Sequence, residues 1–189
     1  MERHLIGKNR ERIKDFAKRM NIELIIQSAG SSQIREAYFD VVLSLDIIEQ
    51  LHRSPRELLN YSVSSLKSGG LLLIKTVNAV ALLKRLRVLL GKSSQGDANF
   101  FYWNIGEYRS HVREYSCSEL RQILYYHRLA AVDSKMMNIM VRIVGGRSFP
   151  QKIIVKIYEL ISGLYPNFRD TILIWGKKPE DWQPTDSSI

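Results

Sequence analysis

The spacing of apolar positions changes along the chain from a helical period to a strand period and back. The first apolar stretch has the i, i+3, i+4, i+7 spacing of a helix with one buried stripe, at Ile13, Phe16, Ala17 and Met20. The short β-prone run 23–27 predicts a strand that ends in a loop at Gly30. The run 39–45 is apolar over most of its length, which predicts a central strand of a parallel sheet.

Cap and turn residues divide the middle of the chain. The block 54–57 (Ser-Pro-Arg-Glu) combines a serine cap, a proline at the first helical position and a glutamate that can return the capping bond. We expect this helix to end at Gly69-Gly70, where glycine accepts a left-handed backbone, and 71–77 to form the next strand. Asn78 is expected to cap a further helix that Gly91 ends. Its leucine stripe, 82–90, is more typical of a core than of a membrane anchor.

The second half of the chain continues the alternation of helices and strands. The segment 92–115 has no helical period and many aromatic residues, so we expect an insertion or lid. A capping box at 116–119 predicts a helix, and strands are predicted from 130 and at 170–175, on either side of a helix at 153–164. We therefore predict one α/β domain over 1–178, with an open sheet and helices on both faces, and a flexible tail over 179–189.

Composition narrows the classes of function without naming one. The chain has 189 residues and one cysteine, Cys117, with no cysteine or histidine partner at metal-ligand spacing. We expect no disulfide, no metal site and a cytoplasmic location. The net charge of +9 favours anionic partners. Because the basic residues are scattered along the sequence, nucleic acid is disfavoured, while the basic flank of the leucine stripe leaves peripheral membrane contact open.

Four blocks of sequence together resemble one enzyme family. The block 39–51 (FDVVLSLDIIEQL) is similar to the fourth strand and following turn of class I S-adenosylmethionine (SAM)-dependent methyltransferases, and 66–74 (LKSGGLLLI) to their helix end and fifth strand. The blocks 111–120 (HVREYSCSEL) and 170–178 (DTILIWGKK) resemble later segments of the small-molecule, methyltransferase type 11-like branch. Because the blocks keep the family's order, the chain resembles an N-terminally shortened member.

The resemblance implies a Rossmann-like, mostly parallel open sheet with SAM at the carboxyl ends of the strands. It also implies that residues 1–7 form the family's second strand, so that the usual first strand and glycine-rich loop are lacking; no GxGxG occurs in the sequence. The ribose-binding acidic residue would then fall at Gly7 or Lys8. Three explanations for the lost strand stay open: a fragment or shortened gene, direct pairing of the early segment with the central strand, or an edge supplied by a second copy.

The resemblance also carries cofactor contacts to the loops after the strands, at Ser28, Ala29, Leu45, Asp46 and Ile47. Ser28 stands where the family commonly has an aspartate near the adenine. Asp46 has an alternative role, in which it only caps the turn that follows the strand.

Candidate acceptor-side residues follow the same strand and occupy the aromatic segment. His52 is the candidate catalytic base, although Gln50 stands where family members often have histidine; the alternative is an ordinary surface histidine. The candidate substrate contacts are Glu49, Tyr102, Trp103, His111 and Arg113. Aromatic side chains there could exclude water and Arg113 could pair with an anionic group, or they could serve only as packing anchors.

Two functions of different classes follow. The first is SAM-dependent methyl transfer to a small-molecule or a lipid- or sugar-type acceptor, with orientation and desolvation supplying most of the rate. The second is a non-catalytic methyltransferase-like remnant that acts as a binding or partner module, and a homo-oligomer is open in either case. Binding of SAM distinguishes the two.

Overall fold

The computed structural model describes residues 2–23, 35–96, 98–105, 111–139 and 149–185, in two units that divide after Gln33. The first unit contains helix α1 (Glu2–Arg19). The predicted first helix is therefore confirmed, and the second strand implied at 1–7 is wrong. No apolar run within 2–19 exceeds two residues, so this segment cannot form a buried strand, and its many Lys, Arg and Glu residues favour a helix. Apart from Glu23, the predicted strand 23–27 lies outside the described residues.

The second unit alternates strands and helices as the sequence predicts. Its elements are β1 (Phe39–Leu45), α2 (Arg56–Ser64), β2 (Leu66–Val77), α3 (Leu82–Leu89), α4 (Ala98–Tyr102), α5 (Cys117–Tyr126), β3 (Ala130–Met137), α6 (Phe149–Leu164) and β4 (Thr171–Lys177). Two short 3-10 turns, Ile48–Gln50 and Pro166–Phe168, follow β1 and α6. The predicted aromatic insertion includes α4, which the sequence pattern did not indicate.

The strands form one open sheet in the order β1-β2-β4-β3. Strands β1 and β2 are parallel neighbours, with Leu43 opposite Leu73. Strand β4 runs antiparallel between β2 and β3, with Ile174 opposite Ile74 on one side and Ser134 on the other. The predicted α/β class with an open Rossmann-like sheet is confirmed. Two of the three described strand pairings are antiparallel, however, so the described strands do not form the mostly parallel sheet that was predicted. The parallel pair places the carboxyl ends of β1 and β2 at the same edge.

The hydrophobic core lies on one face of this sheet. Because strand side chains alternate between faces, the even-numbered residues of β2 and β4 share that face. They pack against α2 and α5, and the fully buried members include Leu59, Val63, Leu72, Ile74, Leu120, Leu124, Ile172 and Ile174. The predicted tail also contributes, since Trp182 is buried and its Nε1 donates to the carbonyl of His127 at 2.8 Å.

Strand β1 is less buried than its apolar sequence predicts. Among the described strands it lies at the end of the sheet, whereas the sequence predicted a central strand. Its odd-numbered residues, Phe39, Val41, Leu43 and Leu45, are between 43% and 56% exposed. Side chains alternate between the two faces of a sheet, and these four point to the face opposite the core. Ser44, which points to the core face, is buried.

Helix α2 begins as predicted but ends earlier. Ser54 Oγ accepts from the Arg56 amide at 3.3 Å, whereas no capping bond from Glu57 forms. The helix ends at Ser64 rather than at Gly69-Gly70, which belong to a bulge in β2. Gly69 has φ +75°, and a Cβ on Gly70 would lie 2.9 Å from the carbonyl oxygen of Lys67. The glycines are therefore required by the bulge and not by the helix end.

Two other cap predictions have different outcomes. The Ser116 capping box is confirmed, with Glu119 N donating to Ser116 Oγ and Ser116 N donating to Glu119 Oε2. Asn78 does not cap α3, whose N-cap is Ala81. Instead Asn78 is fully buried, and its Nδ2 donates to the carbonyls of Asn167 and Arg169.

The leucine stripe of α3 is not part of the core, contrary to the prediction. No residue of this helix is buried. Gly91 ends the helix with φ +69°, as predicted. No helix in the described part of the chain is long and apolar enough to span a membrane.

Candidate functional site

The loop after β1 is fixed to the end of β2 by an aspartate. Asp46 has φ +54°, and its amide donates to the carbonyl of Lys75 at 2.9 Å. Its Oδ2 accepts a hydrogen bond from Lys75 Nζ at 2.5 Å. The Lys75 side chain is 20% exposed and the Asp46 side chain is 36% exposed. Asp46 therefore makes a salt bridge between the two parallel strands, in addition to turning the chain.

Glu49, in the 3-10 turn that follows, is fully buried. Its Oε2 accepts from Thr76 Oγ1 at 2.6 Å. Its carbonyl accepts from the amides of Val112 (2.7 Å) and Arg113 (3.2 Å). The turn after β1 is thereby bound both to β2 and to the segment that precedes α5.

Three buried oxygens near the carboxyl end of β1 have no hydrogen-bond partner among the described residues: Ser44 Oγ, Asp46 Oδ1 and Glu49 Oε1. Buried polar atoms in native proteins are nearly always paired, so each requires an explanation. Hydroxyl and amino groups of a ligand would supply suitable donors. The three oxygens are therefore acceptors without a donor among the described residues.

A histidine, a glutamate and a lysine form a chain of contacts beside this edge. His111 Nδ1 lies 3.0 Å from Glu114 Oε1, and Glu114 Oε2 contacts Lys84 Nζ. The Glu114 side chain is 11% exposed and that of Lys84 is 21% exposed. Because an ionised carboxylate can only accept, this contact favours a proton on His111 Nδ1, and Nε2 is the ring nitrogen that faces away from Glu114.

A cavity of about 680 Å³ brings the two candidate histidines together. Its lining includes His52, Arg87, Gln95, Phe101, His111 and Val112. Val112 is one of the two residues that donate to the Glu49 carbonyl, so the cavity wall is joined to the turn after β1. A bound acceptor would therefore have imidazole and guanidinium groups within its walls.

Arg113, a candidate acceptor contact, belongs to another cavity. Its guanidinium donates to Glu119 Oε1 at 3.1 Å and lies 5.3 Å from the centre of the Tyr115 ring. Both partners line a separate cavity of about 730 Å³, together with Arg56 and His127. The amide of Ser116 lowers the pKa of Glu119, and the neighbouring Arg113 lowers it further.

The remaining candidates differ in position. Tyr102 and Trp103 are 73% and 74% exposed, and their rings meet edge to face with centroids 4.8 Å apart. Leu45 and Ile47 flank Asp46 and are 47% and 41% exposed. Ser28 and Ala29 lie outside the described residues.

Four residues that contact the candidate site residues were not predicted from the sequence: Lys75, Thr76, Lys84 and Glu114. Lys75 could have been noticed as a charge inside an apolar strand. No sequence pattern indicated the contacts of Thr76 and Lys84, because each pairs with a residue about thirty positions away in the chain.

No family model and no curated protein matches the sequence. Solved structures do match. A SAM-dependent methyltransferase from Thermotoga maritima is 16% identical, with a TM-score of 0.54 over 89% of this chain and 70% of that chain. A SAM-dependent methyltransferase from Archaeoglobus fulgidus is 18% identical, with a TM-score of 0.52 over 83% and 68%. A methyltransferase from Haloferax volcanii, solved with the Trm112 methyltransferase activator, is 12% identical, with a TM-score of 0.50 over 87% and 67%. The chain has the class I methyltransferase fold.

Proposed function

We propose that this chain is a SAM-dependent methyltransferase that acts on a small-molecule, lipid or sugar acceptor. One observation carries the proposal: within this fold, the three unpaired buried oxygens of residues 44–49 lie near the carboxyl end of β1. Ligands of open α/β sheets bind at that end. When bound, SAM supplies a methyl group made electrophilic by its sulfonium.

The cofactor contacts are assigned to the turn after β1. Asp46 Oδ1, which has no partner among the described residues, is the proposed acceptor for a hydroxyl or amino group, and Leu45 and Ile47 are the proposed apolar contacts beside it. Ser28 and Ala29 are retained as proposed contacts on the sequence resemblance alone.

The acceptor is assigned to the 680 Å³ cavity. For a hydroxyl acceptor, the oxygen forms a bond to the methyl carbon as the sulfur–carbon bond breaks, and the hydroxyl proton moves to a base. His111 Nε2 fits this role, because Glu114 holds Nδ1 and the Lys84 ammonium stabilises the carboxylate. His52 lines the same cavity and is the second candidate base. Arg87 would attract an acceptor that carries negative charge.

Calorimetric titration with S-adenosylhomocysteine tests the proposal. We expect saturable binding that Asp46→Asn weakens about tenfold, since one charged hydrogen bond contributes roughly 1.5–3 kcal/mol. Asp40→Asn is the matched control, because Asp40 lies at the opposite end of β1 and pairs with Lys67 on the surface. Absence of heat at millimolar ligand, or equal losses in both variants, would refute the assignment.

The role of His111 is tested separately by nitrogen-15 spectra of its imidazole. The proposal predicts the Nδ1–H form in the wild type and a loss of that preference in Glu114→Leu, which removes the acceptor. An Nε2–H form in the wild type would exclude His111 Nε2 as the base.

A second candidate function is a non-catalytic partner module. The exposed apolar side chains of β1 favour it, because surfaces of this kind commonly mark protein interfaces. The same titration decides, since a module without a cofactor shows no binding. For both candidate functions, the proposal includes a homo-oligomer and a cytoplasmic location.

A further inference from the structure

Helix α3 is amphipathic, and its apolar stripe is open to solvent. At about 100° per residue, Leu83, Leu86 and Leu90 share one side of the helix, with Leu89 beside them. Leu83 and Leu86 are 49% and 45% exposed, and Leu89 and Leu90 are 80% and 74% exposed. Leucines that pack against nothing are costly in water, so this stripe is expected to have a partner.

Further apolar side chains stand near α3. Tyr102 and Trp103 are exposed beyond 70%, and Ile105 is fully exposed. Tyr102 is the last residue of α4, and Trp103 and Ile105 follow it. Phe101 of α4 lines the same cavity as Arg87 of α3. We call the α3 leucines together with these three residues the apolar surface. Tyrosine and tryptophan are the residues that concentrate at membrane–water interfaces.

A second exposed stripe lies on α6. Helices α3 and α6 both pack on the turn Pro166–Phe168. The exposed apolar residues of α6 recur at helical spacing and are Ile153, Ile157, Leu160, Ile161 and Leu164. Lys152 and Lys156 of the same helix are exposed. Helix α6 therefore carries a second exposed apolar stripe.

The charges that flank the leucine stripe of α3 are basic, although Lys84 of the same helix pairs with Glu114. Residues 80–96 include Lys84, Arg85, Arg87 and Lys92 and no acidic residue. On the helical wheel Arg85 and Arg87 lie on the two flanks of the leucine stripe. A two-fold interface between copies would bring these cations near one another, which is unfavourable. An anionic surface would instead pair with them.

We propose that the apolar surface of α3 and residues 102–105 docks on an anionic lipid bilayer. Leucines and aromatic rings enter the headgroup boundary, and the flanking basic residues contact anionic headgroups. Arg87 belongs both to this flank and to the acceptor cavity, so docking brings the cavity to the membrane surface. Resting on the proposed methyl transfer, this favours a lipid among the acceptor classes.

Vesicle flotation of the full chain tests the docking. We expect binding to phosphatidylcholine vesicles that contain phosphatidylglycerol, and much weaker binding to phosphatidylcholine alone or at high salt. Leu89→Ser/Leu90→Ser should lower the partition coefficient at least about tenfold. Lys92→Gln should lower it about fivefold, because each basic residue contributes about 1 kcal/mol. Tyr125→Ser is the matched control, since Tyr125 is 74% exposed on α5.

Folding does not confound these variants, because α3 contributes no buried residue and their thermal midpoints should equal that of the wild type. Light scattering tests the alternative, in which the apolar surface is an interface between copies of the chain. If the wild type forms an oligomer that Leu89→Ser/Leu90→Ser dissociates, and neither vesicle binds, the surface is an interface between copies and the proposal is wrong. Equal flotation of the wild type and the double variant would also overturn it.

The two proposals fail in distinguishable ways. Flotation without S-adenosylhomocysteine binding refutes methyl transfer and leaves the docking intact. Cofactor binding without flotation refutes the docking alone. If both hold, transfer of a labelled methyl group from SAM to a lipid extract presented in these vesicles should exceed transfer by the Leu89→Ser/Leu90→Ser variant. Absence of transfer to the lipid extract would refute the lipid acceptor, and equal transfer by the two proteins would refute the contribution of docking to it.

Discussion

Glu49 Oε2 accepts a hydrogen bond from Thr76 Oγ1 at 2.6 Å, and both residues are fully buried. This contact joins the turn after β1 to the last part of β2. Because the Glu49 carbonyl also holds residues 112 and 113, the pair connects the proposed cofactor edge with the wall of the acceptor cavity.

Thr76→Val is expected to destabilise the protein by about 2–3 kcal/mol, because it leaves a buried carboxylate oxygen without its donor. Urea unfolding measures the loss. Ser62→Ala is the control, since the Ser62 hydroxyl bonds only the Leu58 carbonyl in its own helix, and should cost about 0.5 kcal/mol or less. Equal losses in the free energy of unfolding would show that the Glu49–Thr76 hydrogen bond stabilises the protein no more than an ordinary hydroxyl contact.

Gly70→Ala is expected to cost about 1–3 kcal/mol, because the new Cβ would meet the backbone oxygens of Lys67 and Asp40 at 2.9 and 3.2 Å. The same substitution at Gly163, in α6, meets no atom within 4 Å and should stabilise by about 0.5 kcal/mol. Thermal unfolding of the two variants compares them directly. A neutral Gly70→Ala would contradict the bulge geometry.

The stability of the protein should fall in acid because of His127. Burial, and secondarily Arg56, lowers the pKa of His127 from 6.5 to about 4. The unfolded state therefore binds more protons between these values, so stability is present above pH 6.5 and is lost as the pH falls towards 4. We expect this group to account for about 1–2 kcal/mol of the loss.

Denaturant unfolding of His127→Gln across this window isolates the contribution of His127, because the other titrating groups are common to both proteins. The variant should be less stable at neutral pH and should show a flatter pH dependence. Parallel curves for the two proteins would rule out a buried neutral His127.

The sequence predicted the parts of the fold that depend on local signals. The continuous apolar run at β1 and the capping box at Ser116 both correspond to observed elements. Gly69 and Gly70 were misassigned, because a glycine pair satisfies a helix end and a strand bulge equally well in sequence. The sequence predicted more burial of β1 than is observed, because an apolar strand sequence does not indicate whether another element covers each face of the sheet.

The site was less predictable than the fold. Asp46 and Glu49 follow a recognisable strand, so their place at the sheet edge could be inferred. The His111–Glu114–Lys84 chain could not, because Lys84 lies in a different helix and reaches Glu114 only through the tertiary fold. Arg113 was grouped with His111 by proximity in sequence but lines another cavity, and Tyr102 and Trp103 stay predicted acceptor contacts.

Backbone amide shifts on titration with S-adenosylhomocysteine test cofactor binding at the carboxyl end of β1, since they locate the ligand as well as detecting it. The account predicts that the largest changes fall on residues 44–49 and on the facing end of β2 at 75–77, with the amides of α5 and β3 little affected. Changes centred on the Arg56–His127 cavity, or no changes at saturating ligand, would contradict it.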